Sequence, residues 1–93
     1  MNIQLHHAVV TINKQDAFAV SLMAQAVINN RPSFRSVDGI LDHEPATLYT
    51  ECAEDLPHRP ERLTLRSSNG EKVHLLPEDV TWLEGILSDL QKS

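Results

Sequence analysis

AFAVSLMAQAVI, residues 17–28, is the stretch that decides the fold, because it predicts a helix that is apolar almost all round. Ser21 and Gln25 are its only polar residues, and none of its residues is charged. Together with Asn29 they recur at every fourth position, so the polar side chains form a single narrow stripe. A helix of this kind is normally buried, and the rest of the chain must cover it on more than one side.

Local signals mark both ends of this helix. Asn13 is a suitable N-cap, and Asp16 three residues later completes a variant of the capping box, so we expect the helix to begin at about Lys14. It should end near Asn29-Asn30, because an Arg-Pro pair follows and asparagine tolerates the left-handed conformation that ends many helices.

Strand signals occur on both sides of the long helix. NIQLHHAVVTI, residues 2–12, predicts one strand whose second half is apolar on both faces. RLTLRSSNGEKVHLL, residues 62–76, alternates around Asn69-Gly70, a pair that favours a type I′ turn. This second stretch therefore predicts a hairpin, with one apolar face on each strand formed by Leu63 and Leu65 and by Val73 and Leu75.

The chain ends in a second predicted helix. Pro77 suits its first position, and Glu78 and Asp79 complement the positive end of the helix dipole. Its apolar stripe recurs at spacings of three and four and consists of Val80, Leu83, Leu87 and Leu90, widened by Ile86 and with Trp82 beside it.

Residues 32–60 are punctuated by prolines and predict an irregular middle segment. Asp38-Gly39 is typical of a turn. PATLYTECAEDL, from Pro45, favours a short helix, because Glu51, Glu54 and Asp55 would share one of its faces. The alternative is a strand over residues 47–52.

These elements predict a single compact α+β domain over residues 1–93. We expect a single-layer antiparallel or mixed sheet of about three strands, packed against two main helices in the order β-α-(short α)-β-β-α. Two helices and a small sheet would still leave part of the apolar helix uncovered, so a second copy or a partner is expected to cover the remainder.

Composition limits the classes of function. The net charge is −5, with 13 acidic and 8 basic residues, and the arginines are interrupted by acidic residues, so direct nucleic-acid binding is not expected. The lone Cys52 fits a reducing compartment, and the apolar run is shorter than the about 20 residues that cross a bilayer. These features predict a cytoplasmic protein that does not enter a membrane.

No motif indicates an enzyme, a metal or another cofactor. His43, Cys52 and His58 are the only grouping that suggests a zinc site or an activated cysteine, but their spacing matches no standard ligand pair. We therefore interpret the first and last as loop histidines and Cys52 as a small buried residue. His6, His7 and His74 are interpreted as neutral, solvated side chains.

The predicted function is that of a small, acidic, non-enzymatic interaction module, of the accessory phage or plasmid type, that binds another protein and regulates or inhibits it. Its negative charge would favour a basic partner, such as a DNA-binding protein or a nuclease, and a homodimer is expected. The alternatives are a dimeric DNA-binding transcriptional regulator and a small His/Cys metal-dependent module. The residues predicted to form the interaction surface are Phe18, Leu22, Met23, Val9, Trp82 and Ile86.

Overall fold

The computed structural model describes residues 1–6 and 8–92, so the interpretation of His7 lies outside the described residues. Two helices are present in this part of the chain, α1 (Ala17–Ile28) and α2 (Pro77–Lys92), and α1 is preceded by a 3-10 turn (Lys14–Asp16). The strands are β1 (Asn2–Gln4), β2 (Val9–Ile12), β3 (Ser36–Leu41), β4 (Glu44–Cys52), β5 (Glu61–Ser67) and β6 (Lys72–His74).

The strands form one antiparallel sheet in which each strand pairs with its neighbour in sequence, from β1 to β6. The sheet curls into a half-barrel. Its two ends approach each other, since Leu5 and Ala8 beside β1 and β2 line a small cavity together with Val73 and Leu75 at the β6 end. We call the sheet face toward the helices the inner face and the opposite one the outer face.

The core lies between the inner face and the two helices. Val20, Met23 and Ala24 of α1 have no exposed surface, and strands β1 to β5 contribute to the same cluster. The strand residues in this cluster are Ile3, Val10, Ile12, Val37, Leu48, Leu63 and Leu65, and α2 adds Val80, Leu83 and Leu87.

The fold is α+β with two main helices, but the predicted sheet of about three strands is wrong, as is the predicted element order. The stretch predicted as one strand over residues 2–12 is two paired strands, and between them the Leu5 amide donates to the Ala8 carbonyl at 2.8 Å. Residues 5–8 contain neither glycine nor proline, so the sequence carries no ordinary turn signal between the two strands.

The middle segment contains two more strands rather than irregular chain with a short helix. The predicted Asp38-Gly39 turn is wrong, because both residues lie inside β3. The chain reverses instead at Asp42-His43, where φ values of 51° and 68° define a type I′ turn between Leu41 and Glu44. Asp-His is not a sequence signature of this turn, which is why the hairpin was not predicted.

The short helix predicted from Pro45 is wrong, and the alternative strand over residues 47–52 lies within β4. Leu48 points to the inner face and is buried, whereas Glu51 lies on the outer face. Glu54 and Asp55 come after the strand has ended, in the loop that leads to β5. The acidic residues are therefore close in sequence without sharing a helix face.

The predicted C-terminal hairpin and the start of α2 at Pro77 are confirmed. The hairpin turn is not type I′, because only Gly70 in it has positive φ, at 91°. Ser67 and Glu71 close a three-residue loop, which is the standard combination of a type I turn with a left-handed glycine. Val80, Leu83 and Leu87 are buried as expected, whereas the side chain of Leu90 lies outside the described part.

His6 is not a free, solvated histidine. Its Nδ1 lies 2.6 Å from Oδ1 of Asp79, and its backbone amide donates to Oδ2 of the same carboxylate at 3.3 Å. Asp79 is buried in the first turn of α2, so this contact joins the β1–β2 loop to the second helix. The hydrogen bond and the charge of Asp79, together with the charge of Glu78, raise the pKa of His6 against a smaller opposing effect of desolvation.

Two glycine substitutions test the fold in opposite directions. A Cβ atom added at Gly39 would lie 2.8 Å from the Thr11 carbonyl oxygen on β2, whereas at Gly85 nothing lies within 4 Å. We expect Gly39→Ala to lower the free energy of unfolding by roughly 1–3 kcal/mol, because backbone must move. Gly85→Ala, the matched control, should raise it by about 1 kcal/mol through helix propensity. Urea unfolding measures both, and equal effects would contradict the β2–β3 packing.

The contact between His6 and Asp79 predicts a pH dependence of stability. Because the pKa of His6 is raised in the folded state, its stabilising effect is complete below the ordinary pKa of 6.5 and is lost as the pH rises through the folded value. The urea midpoint should therefore fall as the pH is raised from about 6 to about 8. His6→Gln should flatten this profile and His58→Gln, a loop control, should not. An unchanged profile in His6→Gln would rule out the contact.

Candidate functional site

The side of α1 that faces away from the core is open to solvent. Phe18 is 57% exposed, and Leu22, one turn later, is only partly buried. Gln25 and Asn29 border them, and α1 contains no charged residue over its 12 residues. The exposed side of the helix thus presents an uncharged surface with a protruding aromatic side chain at its N-terminal end.

The polar stripe of α1 lies only partly on its exposed side. Ser21 is buried, and Gln25 donates from Nε2 to Oε1 of Glu84 on α2 at 3.4 Å. Val27 and Ile28, at the end of α1, line a groove with residues at the start of α2. The two helices therefore run antiparallel. Gln25 is exposed at the border with α2, and the side carrying Phe18 remains open.

The residues predicted to form one interaction surface are distributed over three parts of the molecule. Met23 is fully buried in the core. Val9 is 40% exposed on the outer face of the sheet, and Trp82 is partly exposed on α2, where Ile86 is half-buried. Only Phe18 and Leu22 lie together on α1, so these two residues define what we call the α1 face.

The outer face of β4, β5 and β6 holds a cluster of polar side chains centred on Glu51. Its Oε1 accepts from Nε of Arg62 at 3.3 Å and from Oγ1 of Thr64 at 3.1 Å, and lies 3.5 Å from Nδ1 of His74. Its Oε2 lies 3.5 Å from Nζ of Lys72. These partners cover Thr64, which is fully buried although it points away from the core.

The electrostatics of this cluster keep Glu51 ionised. Desolvation acts to raise the pKa of Glu51, but the Thr64 hydroxyl and the nearby Lys72, Arg62 and His74 outweigh it and lower the pKa. Because these partners already engage Glu51, the cluster is an internal ion-pair network of the sheet. Its members lie on three consecutive strands and meet through the pairing of those strands, which the spacing of residues along the chain does not indicate.

Two arginines in the middle of the chain, Arg62 and Arg66, have partners within the chain. Arg62 also lies 3.7 Å from Oδ1 of Asp55, and the Arg66 guanidinium lies over the Tyr49 ring at 5.5 Å from its centroid. Tyr49 is therefore an aromatic neighbour of Arg66, and the linear sequence did not indicate this contact. Acidic neighbours still reduce the positive potential that phosphate binding would need.

The residues considered for metal or cysteine chemistry are not all brought together. His43 and Cys52 lie at opposite ends of β4, roughly 30 Å apart along a strand that rises about 3.3 Å per residue. Cys52 donates from Sγ to the Arg59 carbonyl at 3.4 Å, in the loop that also contains His58. Within residues 1–6 and 8–92, no group of three or more His, Cys, Asp or Glu side chains is arranged to hold a metal ion.

The most exposed large apolar side chain of the described residues is Phe34, at 98%, which sequence analysis did not single out. It lies between Arg31 and Arg35 in the loop that joins α1 to β3. An isolated phenylalanine among polar residues carries no periodic signal, so only the structure reveals that it points into solvent.

No protein-family model, no curated protein and no solved structure matches this chain. Neither helix of the described part combines the length and the apolar character needed to cross a membrane.

Replacing the central carboxylate tests the network on the outer face. At pH 7, Glu51→Gln should lower the free energy of unfolding by about 1 kcal/mol or more, because Arg62 and Lys72 lose a charged acceptor. Since the pKa of Glu51 is lowered by folding, this difference should vanish as the pH falls through the folded pKa. Glu54→Gln, at an exposed loop position, is the control, and an equal effect at both positions would refute the network.

Proposed function

We propose that this chain is a small, non-enzymatic protein-interaction module that self-associates through the α1 face and binds a protein partner that it regulates. The observation that carries the proposal is the exposure of Phe18 on a helix without a charged residue. The outer-face network supports a non-catalytic role, since its potential acid and base groups engage each other.

A second copy is a suitable occupant of the α1 face. Copies of a chain with a net charge of −5 repel each other, and an uncharged helix surface is where two of them meet with the least like-charge contact. In a twofold dimer the same patch is used on both subunits, so each Phe18 would pack on the partner copy's helix. The acidic remainder of the surface favours a basic protein as the regulated partner.

A DNA-binding regulator that reads bases with a helix is less well supported. α1 has no charged residue, and α2 begins with Glu78 and Asp79 and has a single basic residue, Lys92, at its end, so neither helix carries the group of cations that contacts phosphates.

Truncation of Phe18 tests the proposed self-association. In a twofold dimer, Phe18→Ser removes apolar burial from both subunits, a loss of about 2 kcal/mol, which corresponds to a roughly 30-fold rise in the dimer Kd. Sedimentation equilibrium over a wide range of concentrations measures this change. Leu56→Ser is the matched control, because Leu56 is 48% exposed in a loop away from α1.

The expected result is association through the α1 face in the natural sequence and in Leu56→Ser, and a strong weakening of this association in Phe18→Ser. A natural sequence that stays monomeric at the highest concentration, or a Phe18→Ser variant that dimerises as before, would overturn the proposed use of the α1 face. Thermal unfolding of each variant verifies that it remains folded.

A further inference from the structure

The loop that carries Phe34 is held in place on both sides of the exposed ring. The Arg31 amide donates to the Ala26 carbonyl at 2.7 Å, and Oγ1 of Thr50 donates to the Ser33 carbonyl at 2.8 Å. The Arg35 amide then donates to Oγ of Ser33 at 3.4 Å. The backbone on both sides of Phe34 is thus already ordered. Less conformational entropy is therefore lost when the ring is buried in a contact with another molecule.

A shallow pocket on the outer face of the sheet is suited to such a ring. Val9 and Ile40, which are 40% and 50% exposed, line it together with Thr11, Asp42 and His43. Its volume is about 180 Å³. For comparison, a cavity of about 150 Å³ in another protein binds benzene, so this pocket is large enough for a phenyl ring.

The charges around the ring and around the pocket are complementary. Arg31 and Arg35 flank Phe34, whereas Asp42 lines the pocket and Asp38 borders the adjoining groove, which shares Thr11 and Ile40 with it. His43 is the only basic side chain among the residues that line the pocket. Opposite charges on the two surfaces would steer them together.

The ring and the pocket lie toward opposite ends of β3 in one molecule. Phe34 precedes the first residue of β3, and Ile40 is next to its last. The ring and the pocket are therefore placed to meet between copies rather than within one molecule, either reciprocally in a twofold pair or in one direction only.

We propose that Phe34 of one copy enters the Val9–Ile40 pocket of a second copy and that Arg35 pairs with Asp42 across this contact. The contact does not use the α1 face. It places Val9 at a contact surface. A reciprocal contact closes a twofold dimer, whereas a one-way contact generates closed rings or open chains of subunits.

Complementation between two variants tests the proposal, and a Phe18→Ser background removes association through the α1 face. In that background, sedimentation equilibrium should show assembly that increases with concentration. Adding Phe34→Ser or Ile40→Ser should raise the Kd at least about 30-fold, because either the ring or its pocket is lost. A mixture of the two variants should recover a 1:1 complex, since one retains the pocket and the other retains the ring.

Exchange of the charged pair gives a second measurement. Arg35→Glu and Asp42→Arg should each weaken assembly, and their combination in one chain should restore it, as expected for two groups in direct contact. Both positions are exposed, and thermal unfolding verifies folding of each variant.

Three results would overturn the contact between Phe34 and the Val9–Ile40 pocket. The first is a Phe18→Ser protein that is monomeric at all concentrations, and the second is a mixture that fails to form the 1:1 complex. The third is a Phe34→Ser variant that self-associates as before and fails only to bind a different protein. The α1 proposal would survive each of them, because it depends on the response of the otherwise natural chain to Phe18→Ser.

Discussion

The burial of one side of α1 in the curl of the sheet is the interaction on which the rest of the structure depends. Val20, Met23 and Ala24 have no solvent exposure because residues of strands β1 to β5, together with α2, pack around them. A flat sheet of three strands would cover less of so apolar a helix. Six curved strands shield more of it, and the sheet twist that permits this curvature is a general property of β-structure.

This arrangement gives the two faces of the sheet different environments. The inner face is apolar, while the outer face satisfies Glu51 and Thr64 through side chains from three strands. Most of the charged groups at the centre of the outer face are therefore engaged within the molecule. The exposed apolar side chains lie elsewhere, on α1, at Phe34 and near Val9, and these positions are where contacts with other chains would bury the most apolar surface.

Elements with strong local signals were predictable. The long helix has a continuous apolar pattern and Asn30 in the left-handed conformation at its end, and the Asn13 side chain accepts from the Gln15 amide in the 3-10 turn that precedes it. The second helix and the last hairpin combine a regular apolar pattern with Pro77 and Gly70 at positions those residues favour. The middle strands lacked such signals, because their type I′ turn uses Asp42-His43 and their glycine lies inside a strand.

By itself, the sequence determined the α+β class, both helices and the last hairpin. It also determined that α1 is apolar over most of its surface. The tertiary structure alone decided the curled six-strand sheet, the contact of His6 with Asp79 and the partners of Glu51. It also decided that Met23 is buried and that Phe34 is exposed. The physical reason is that periodicity and capping depend on residues within a few positions of one another. Burial and ion pairing depend on which distant segments meet, and that is established only when the chain folds.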